Sequence, residues 1–176
     1  DACVMGGLRL CSGYDQFVQG DFEAAFEQLL HLENALKRVS PKLIITPTLA
    51  TYTMMHMLKY LFNHSYTLKT TVQWAQKELK APGQKVALYH NPQLQALSGH
   101  TMSIGQDIDP ERQLVDMAYN YEADPQNKTL RHNIIAQARK VSNTLVVDCA
   151  HTAHLLREAS TKNNPLRIID IVNYYD

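Results

Sequence analysis

No charge of one sign dominates this chain. Seventeen Lys and Arg balance seventeen Asp and Glu, so it lacks the cationic excess that displaces counterions from phosphates, and no nucleic-acid partner is expected. Long apolar runs are missing too. A membrane span needs roughly 18–20 apolar residues, and the longest candidate, Met54 to Phe62, is interrupted by His56, Lys59 and Tyr60. Glycine is sparse, and no phosphate-binding Gly-rich loop, Gly-x-Gly-x-x-Gly fingerprint or Gly-x-Ser-x-Gly elbow occurs. Initiator methionine is absent: a chain opening on Asp1 reads as a processed product or a fragment, so the lack of a signal peptide is uninformative.

Cysteine is scarce as well, with Cys3, Cys11 and Cys149 only. Cys3 and Cys11 are close enough to close a small disulfide loop in an oxidising compartment. Such a pair would mean a secreted or periplasmic protein; the sequence otherwise leaves localisation unknown. Two glycosylation triplets, Asn63-His64-Ser65 and Asn127-Lys128-Thr129, matter only in a eukaryotic secretory setting. Cys149 reads as a small buried hydrophobe. His151 follows it by two residues, which on a helix places the two on different sides and rules out a ready Cys–His dyad.

What is present is the material of a folded protein. With 176 residues and 45% hydrophobic content, the chain is long enough for one domain or two small ones. Six of the seven prolines follow Ser, Thr, Asn or Asp: Pro41, Pro47, Pro92, Pro110, Pro125 and Pro165. A capping side chain followed by proline at the first helical position is a helix-start signal. Asp21 caps a helix carrying Phe22, Phe26, Leu29, Leu30, Leu36 and Val39 at helical spacing, with Lys37 and Arg38 in its last turn. Further helices are expected from Thr46-Pro47 to Phe62, over 66–80, from Asn91-Pro92 to Gly99, from Asp109-Pro110 to Glu122, and weakly over 2–12. From Asp124-Pro125 no Gly or Pro intervenes until Pro165. One helix of about 35 residues, roughly 50 Å long at 1.5 Å per residue, is therefore expected. Its apolar stripe would be Ile134, Ala138, Val141, Leu145, Cys149, Thr152 and Leu156.

These signals predict an all-α fold, a helical bundle of about six to seven helices. The expected division is an N-terminal helical subdomain (1–80), an irregular connection (81–107) and a C-terminal helical subdomain (108–176) packing against the first. A single compact domain is the equal alternative. Residues 85–90 and 167–172, rich in β-branched and aromatic side chains, support an alternative α+β reading with minor strands there. No internal repeat is apparent.

Of eight histidines, the best local set for a metal is Asp148, His151, His154 and Glu158, whose spacing would share one helical face. No Glu-x-x-His pair of the di-iron bundle type accompanies it. The set reads as a solvated polar face, so no metal and no cofactor are expected. Tyr52, Met54, Met57 and Tyr60 cluster on one predicted helix, and adaptable methionines with amphipathic tyrosines suit a binding surface. The stretch from Ala123-Asp124-Pro125 to Ala138-Arg139-Lys140-Val141 resembles helix openings of talin- and vinculin-type bundles. Residues 22–80, with Thr46-Pro47-Thr48-Leu49 and Met57-Leu58-Lys59-Tyr60, resemble small helical domains of transcription-elongation factors and chromatin tethers. Both resemblances imply protein-docking scaffolds without catalytic residues. The expected function is a non-enzymatic helical protein-interaction or scaffold domain, its partner another protein or a second copy of itself. The alternative is a helical-bundle sensor or carrier domain holding a small ligand or metal between helices.

Overall fold

Short runs of β-branched and aliphatic residues between the helices decide the architecture. In the computed structural model, which describes residues 11–78, 85–100, 102, 104–108, 125–160 and 166–175, helices alternate with parallel strands. The order is α1 (Tyr14–Gln19), α2 (Phe22–Val39), β1 (Leu43–Thr46), α3 (Leu49–Leu61), β2 (Thr67–Thr70), α4 (Thr71–Glu78), β3 (Ala87–Tyr89), α5 (Pro92–Ser98), β4 (Gln106–Asp107), α6 (Pro125–Val141), β5 (Thr144–Val147), α7 (Ala150–Ala159), β6 (Arg167–Asp170) and α8 (Ile171–Tyr175). The fold is therefore α/β, and the all-α expectation is overturned. So is the helical-bundle framework on which the two resemblances rested. No helix among the described residues is long and apolar enough to cross a membrane.

Four strands form one parallel sheet in the order β4-β3-β5-β6, and β1 and β2 form a separate parallel pair. Alternation along the strands divides the larger sheet's side chains between two faces. Ala87, Tyr89, Leu145, Val147 and Ile168 join Ile134, Ile135 and Ala138 of α6 and Ala153, Leu155 and Leu156 of α7 in one core. Val86, Leu88 and Val146 pack on the other side with Val72 and Ala75 of α4 and Ile171 and Tyr174 of α8. A sheet covered on both faces needs apolar residues at every position, so its central strands are continuous hydrophobic runs. A third core joins α2, α3 and the β1–β2 pair through Leu29, Leu32, Leu36, Met54, Met55, Leu58 and Tyr66.

The expected 35-residue helix is three elements. α6 stops at Val141, and Ser142 supplies the break. Its hydroxyl donates to the Lys85 carbonyl (2.9 Å) and accepts from the Thr144 amide (3.1 Å). The apolar stripe had the right members in the wrong element. Ile134 and Ala138 lie on α6, Leu145 on β5, Cys149 at the N-cap of α7, and Thr152 and Leu156 on α7. Helix, strand and helix all turn inward against one core, so buried positions fell at helical intervals across a four-residue strand too short to show its own period. The helix expected over 66–80 is likewise β2 followed without a loop by α4, and the helix favoured after Asn164-Pro165 begins only at Ile171, beyond β6. The segment 81–107, expected to be an irregular connection, contains β3, α5 and β4 and so supplies half of the larger sheet.

Capping signals fared better. Asp21 Oδ1 accepts from the Ala24 amide (3.1 Å) at the start of α2. Asn91 Oδ1 accepts from the amides of Gln93 and Leu94 at the start of α5, which ends on left-handed Gly99. α3 is capped by Thr48 rather than Thr46, through Thr48 Oγ1 and the Thr51 amide (3.2 Å). The expected helix over 109–122 and the first residues of that over 2–12, Cys3 included, lie outside the described residues; Cys11 is a free, exposed thiol.

A repeat emerges once elements replace residues as the unit of comparison. α2-β1-α3-β2-α4 and α6-β5-α7-β6-α8 share one helix–strand order. In both, the second strand opens with an amide bonded to the residue just before the first: Thr67 N–H to the Lys42 carbonyl (2.9 Å) and Arg167 N–H to the Asn143 carbonyl (3.0 Å). In both, the last helix follows its strand directly and is capped from the strand's final residue, Thr70 or Asp170. The residues entering the first strand correspond: Lys37-Arg38-Val39-Ser40 before Leu43-Ile44-Ile45, and Arg139-Lys140-Val141-Ser142 before Leu145-Val146-Val147. Two residues separate the serine from the leucine in each run.

Two substitutions probe this packing. Leu145→Ala, in the fully buried centre of the sheet, should cost about 2–5 kcal/mol in a chemical-denaturation titration. Gly105→Ala should also destabilise, because a Cβ there would lie 2.5 Å from the Val86 carbonyl oxygen, a backbone atom of the neighbouring strand segment. Near-wild-type stability for either variant would refute the placement of the β3–β5 core or of β4 beside β3.

Candidate functional site

In a parallel sheet all carboxyl ends lie at one edge, so whatever follows each strand converges there. Here the chain leaves β3 toward β4 on one side and β5 toward β6 on the other, while β3 and β5 are neighbours. Connections that diverge from adjacent strands leave a crevice between them, the usual ligand position of open α/β sheets. Tyr89 pairs with Val147 at the last rung. The next residues, His90 and Asp148, are therefore brought side by side from positions far apart in sequence.

Asp148 is 3% exposed and His90 13%. His90 Nδ1 lies 3.6 Å from Asp148 Oδ2, and His90 Nε2 lies 3.1 Å from Oδ1 of Asp107, the exposed last residue of β4. The imidazole is thus flanked by two carboxylates. The Asn91 amide donates to Asp148 Oδ1 (2.8 Å), and Asn91 Nδ2 donates to Thr152 Oγ1 (3.3 Å) in the first turn of α7. Asn91 is fully buried, and its side chain ties the β3–α5 turn to the β5–α7 turn while capping α5.

These surroundings move both titrations. Burial by itself pushes His90 down, but the charges of Asp148 and Asp107, with the hydrogen bond to Asp107, outweigh it and raise His90 above its ordinary 6.5. Burial pushes the Asp148 carboxyl up, against the lowering influence of His90 and the Asn91 amide. The pair holds protons more tightly than its members do in water. An imidazole held between carboxylates is a proton-exchanging group with a fixed orientation.

A cleft of about 270 Å³ is lined by Ser12, Tyr14, Asp15, Thr48, Leu49, Ala50 and His151, and none of His90, Asn91, Asp107 and Asp148 lines it. It lies where the N-termini of α3 and α7 approach each other. The Ala150 amide, at the start of α7, donates to the Pro47 carbonyl just after β1 (3.1 Å). Helix N-termini carry partial positive charge; hydroxyls of Ser12, Tyr14 and Thr48, the His151 ring and the Asp15 carboxylate add donors and acceptors around the rim. α1, which brings Tyr14 and Asp15, is seated closely on α2. Its N-cap Gly13 has φ +78°, and a Cβ there would come within 2.9 Å of Gln28 Cβ and 3.0 Å of the Ala25 carbonyl. α7 serves both regions, with Thr152 turned to Asn91 and His151 to the cleft.

The four residues weighed for a metal do not form one face. Asp148 ends the strand segment and is buried, His151 is exposed at the cleft, and His154 pairs with Glu158 on the outer surface (3.3 Å). Among the described residues no group of three or more His, Cys, Asp or Glu side chains is arranged to hold a metal ion. Of the binding-surface residues, Tyr52 and Met54 are buried in the cores, Met57 is partly buried against the α2–α3 core, and Tyr60 alone is exposed. Cys149 is buried beside Leu49, Tyr52 and Leu94. Sequence reasoning missed His90, Asp107, Asn91 and Thr48 as a site. The available signal was Leu88-Tyr89-His90-Asn91-Pro92, an apolar strand running into a helix cap, matched by Leu145-Val146-Val147-Asp148. The chain matches no family model, and no curated protein or solved structure is significantly similar to it.

The signs of the two shifts give one pH prediction. A histidine with a raised folded-state pKa contributes stability below its unfolded value, lost as pH rises through the folded value. A carboxyl raised by burial also makes the folded state bind protons more tightly, so its contribution runs the same way. The site's stabilisation should therefore fall with rising pH. Thermal melts across roughly pH 6 to 9 should show a smaller loss for His90→Gln than for the natural protein. NMR titration should place the His90 midpoint above 6.5, and Asp148→Asn should bring it down. An unshifted midpoint would remove the carboxylate pairing from the site.

Proposed function

We propose that this chain is a ligand-binding α/β module that takes a small, hydroxyl-bearing polar ligand in the cleft at the carboxyl ends of its strands. The observation that carries the reading is the convergence there of a cleft, two helix N-termini and the polar side chains of Ser12, Tyr14, Asp15, Thr48 and His151, while both faces of the larger sheet are covered by helices. Hydroxyl groups of a ligand find an acceptor in Asp15 and partners in Ser12, Tyr14 and Thr48. An acceptor or anionic group of the ligand is favoured at the starts of α3 and α7. The cleft's volume suits a ligand of monosaccharide or nucleoside size. His90 and Asp148, set behind the first turn of α7, couple its position to protonation through Asn91 and Thr152. The reading keeps the small-ligand element of the sensor or carrier alternative and replaces its helix-bundle pocket by a strand-end cleft.

The test is NMR with labelled protein against monosaccharides, nucleosides and nucleoside monophosphates. A binding compound should shift the amides of Thr48, Leu49, Ala50 and His151, and His151→Ala should weaken it about tenfold, the equivalent of one lost polar contact. Thr48→Ala should weaken it as well, while costing about 1 kcal/mol of stability as a lost helix cap. If no compound in the panel perturbs the cleft amides, or if binding shifts resonances elsewhere only, the assignment fails.

A further inference from the structure

α2 has two apolar stripes, and the protein uses one. Ala25, Leu29, Leu32 and Leu36 are buried against α3 and the β1–β2 pair. On the outer side Phe22, Phe26 and Leu30, spaced by four residues, are 64%, 46% and 39% exposed. The outer stripe is ordered rather than loose. Phe22 packs edge-on to Phe17 (5.7 Å) and Phe26 stacks on Phe62 (6.4 Å). Contiguous apolar residues on a surface mark an interaction site more often than scattered ones do.

The charges around the stripe say what fits it. Along the exposed face the acids come first, Asp21, Glu23 and Glu27, and the bases last, Lys37 and Arg38. At 100° per residue, Glu23 and Lys37 each fall only about 20° from Leu30 on the helix surface. They lie seven residues before and after it. Lys37 is held in place by the buried Glu33 carboxylate (3.1 Å). A helix with acid at one end of a stripe, base at the other and leucine midway is complementary to itself turned end for end.

We infer that this face binds a second copy of the chain, two α2 helices packing antiparallel about a two-fold axis at Leu30. Each Glu23 then meets Lys37 of the other copy, and the two Leu30 side chains meet on the axis. This is an isologous contact, the same patch used twice, with ridges spaced by four residues on both helices. It involves none of the cleft residues and does not depend on what the cleft holds.

Sedimentation velocity across a concentration series should show a monomer–dimer equilibrium that weakens with added salt, since the flanking pairs are exposed. Glu23→Lys makes both charge pairs repulsive and should raise the dimer Kd about tenfold or more; Leu30→Asp sets two like charges on the axis and should abolish the dimer. Neither residue belongs to the buried cores, so thermal melts should stay near those of the natural chain. A cross-linking measurement fixes the geometry independently. In a Cys3→Ser, Cys11→Ser background, Leu30→Cys should oxidise to a disulfide-linked dimer and Glu23→Cys should not, because only position 30 meets itself. A chain that stays monomeric throughout the series overturns the inference. So does a dimer indifferent to Glu23→Lys and Leu30→Asp, or cross-linking through position 23 as fast as through position 30.

Discussion

The parallel ladder between β3 and β5 is the contact to which the rest of the larger sheet is referred. Ala87, Leu88 and Tyr89 pair with Leu145, Val146 and Val147, and all six are buried. Parallel strands must be joined by crossovers, and helices on both faces then become obligatory because each face carries apolar side chains that need cover. The ladder thereby accounts for α6 and α7 on one face and α4 and α8 on the other. It also sets the register that brings His90 beside Asp148. A one-residue slip would turn Leu145 and Val147 out of their core and part the imidazole from its carboxylate.

The repeat gives the architecture a second level of order. Each half is a helix, a strand, a helix, a strand and a directly attached helix, and the two terminal helices, α4 and α8, share one apolar core. The halves differ in what adjoins them. β5 has β3 on its free side and so lies inside a four-stranded sheet, whereas β1 pairs only with β2 among the described residues. Burial follows the difference: β5 is almost wholly enclosed, while Leu43 and Ile45 of β1 are exposed. The polar cluster occurs in the enclosed half, where desolvation makes a buried carboxylate and its partners matter. At the corresponding end of β1, Thr46, Pro47 and Thr48 offer hydroxyls and a carbonyl, and these border the cleft instead.

A short path of hydrogen bonds runs from His90 and Asp148 to the first turn of α7. His90 and Asp148 share a buried environment in which each affects the other's charge, and the Asn91 amide is bonded to the same carboxylate. Asn91 in turn holds Thr152, one residue from His151 at the cleft. These hydrogen bonds join the β3–α5 turn to the β5–α7 turn.

Local chemistry alone determined the helix starts at Asp21 and Asn91, the stop at Gly99 and the burial of Cys149, since caps, left-handed stops and small apolar residues act over a few neighbouring positions. The strand character expected over 85–90 and 167–172 was visible in β-branched and aromatic residues, though the strands cover only Ala87–Tyr89 and Arg167–Asp170, and Ile171 and Val172 open α8. Residues 144–147 were not legible as a strand. Four residues between two helices cannot display a period of two, and burial against a common core imposed a helical spacing on all three elements. Asp148 was visible only as one member of a presumed helical face. His90, nearly sixty residues earlier, could not be joined to it, because their proximity exists solely through the β3–β5 register. Propensity and capping are properties of a segment; which strand lies beside which is decided by burying both faces of a sheet at once, and the site was made by that choice.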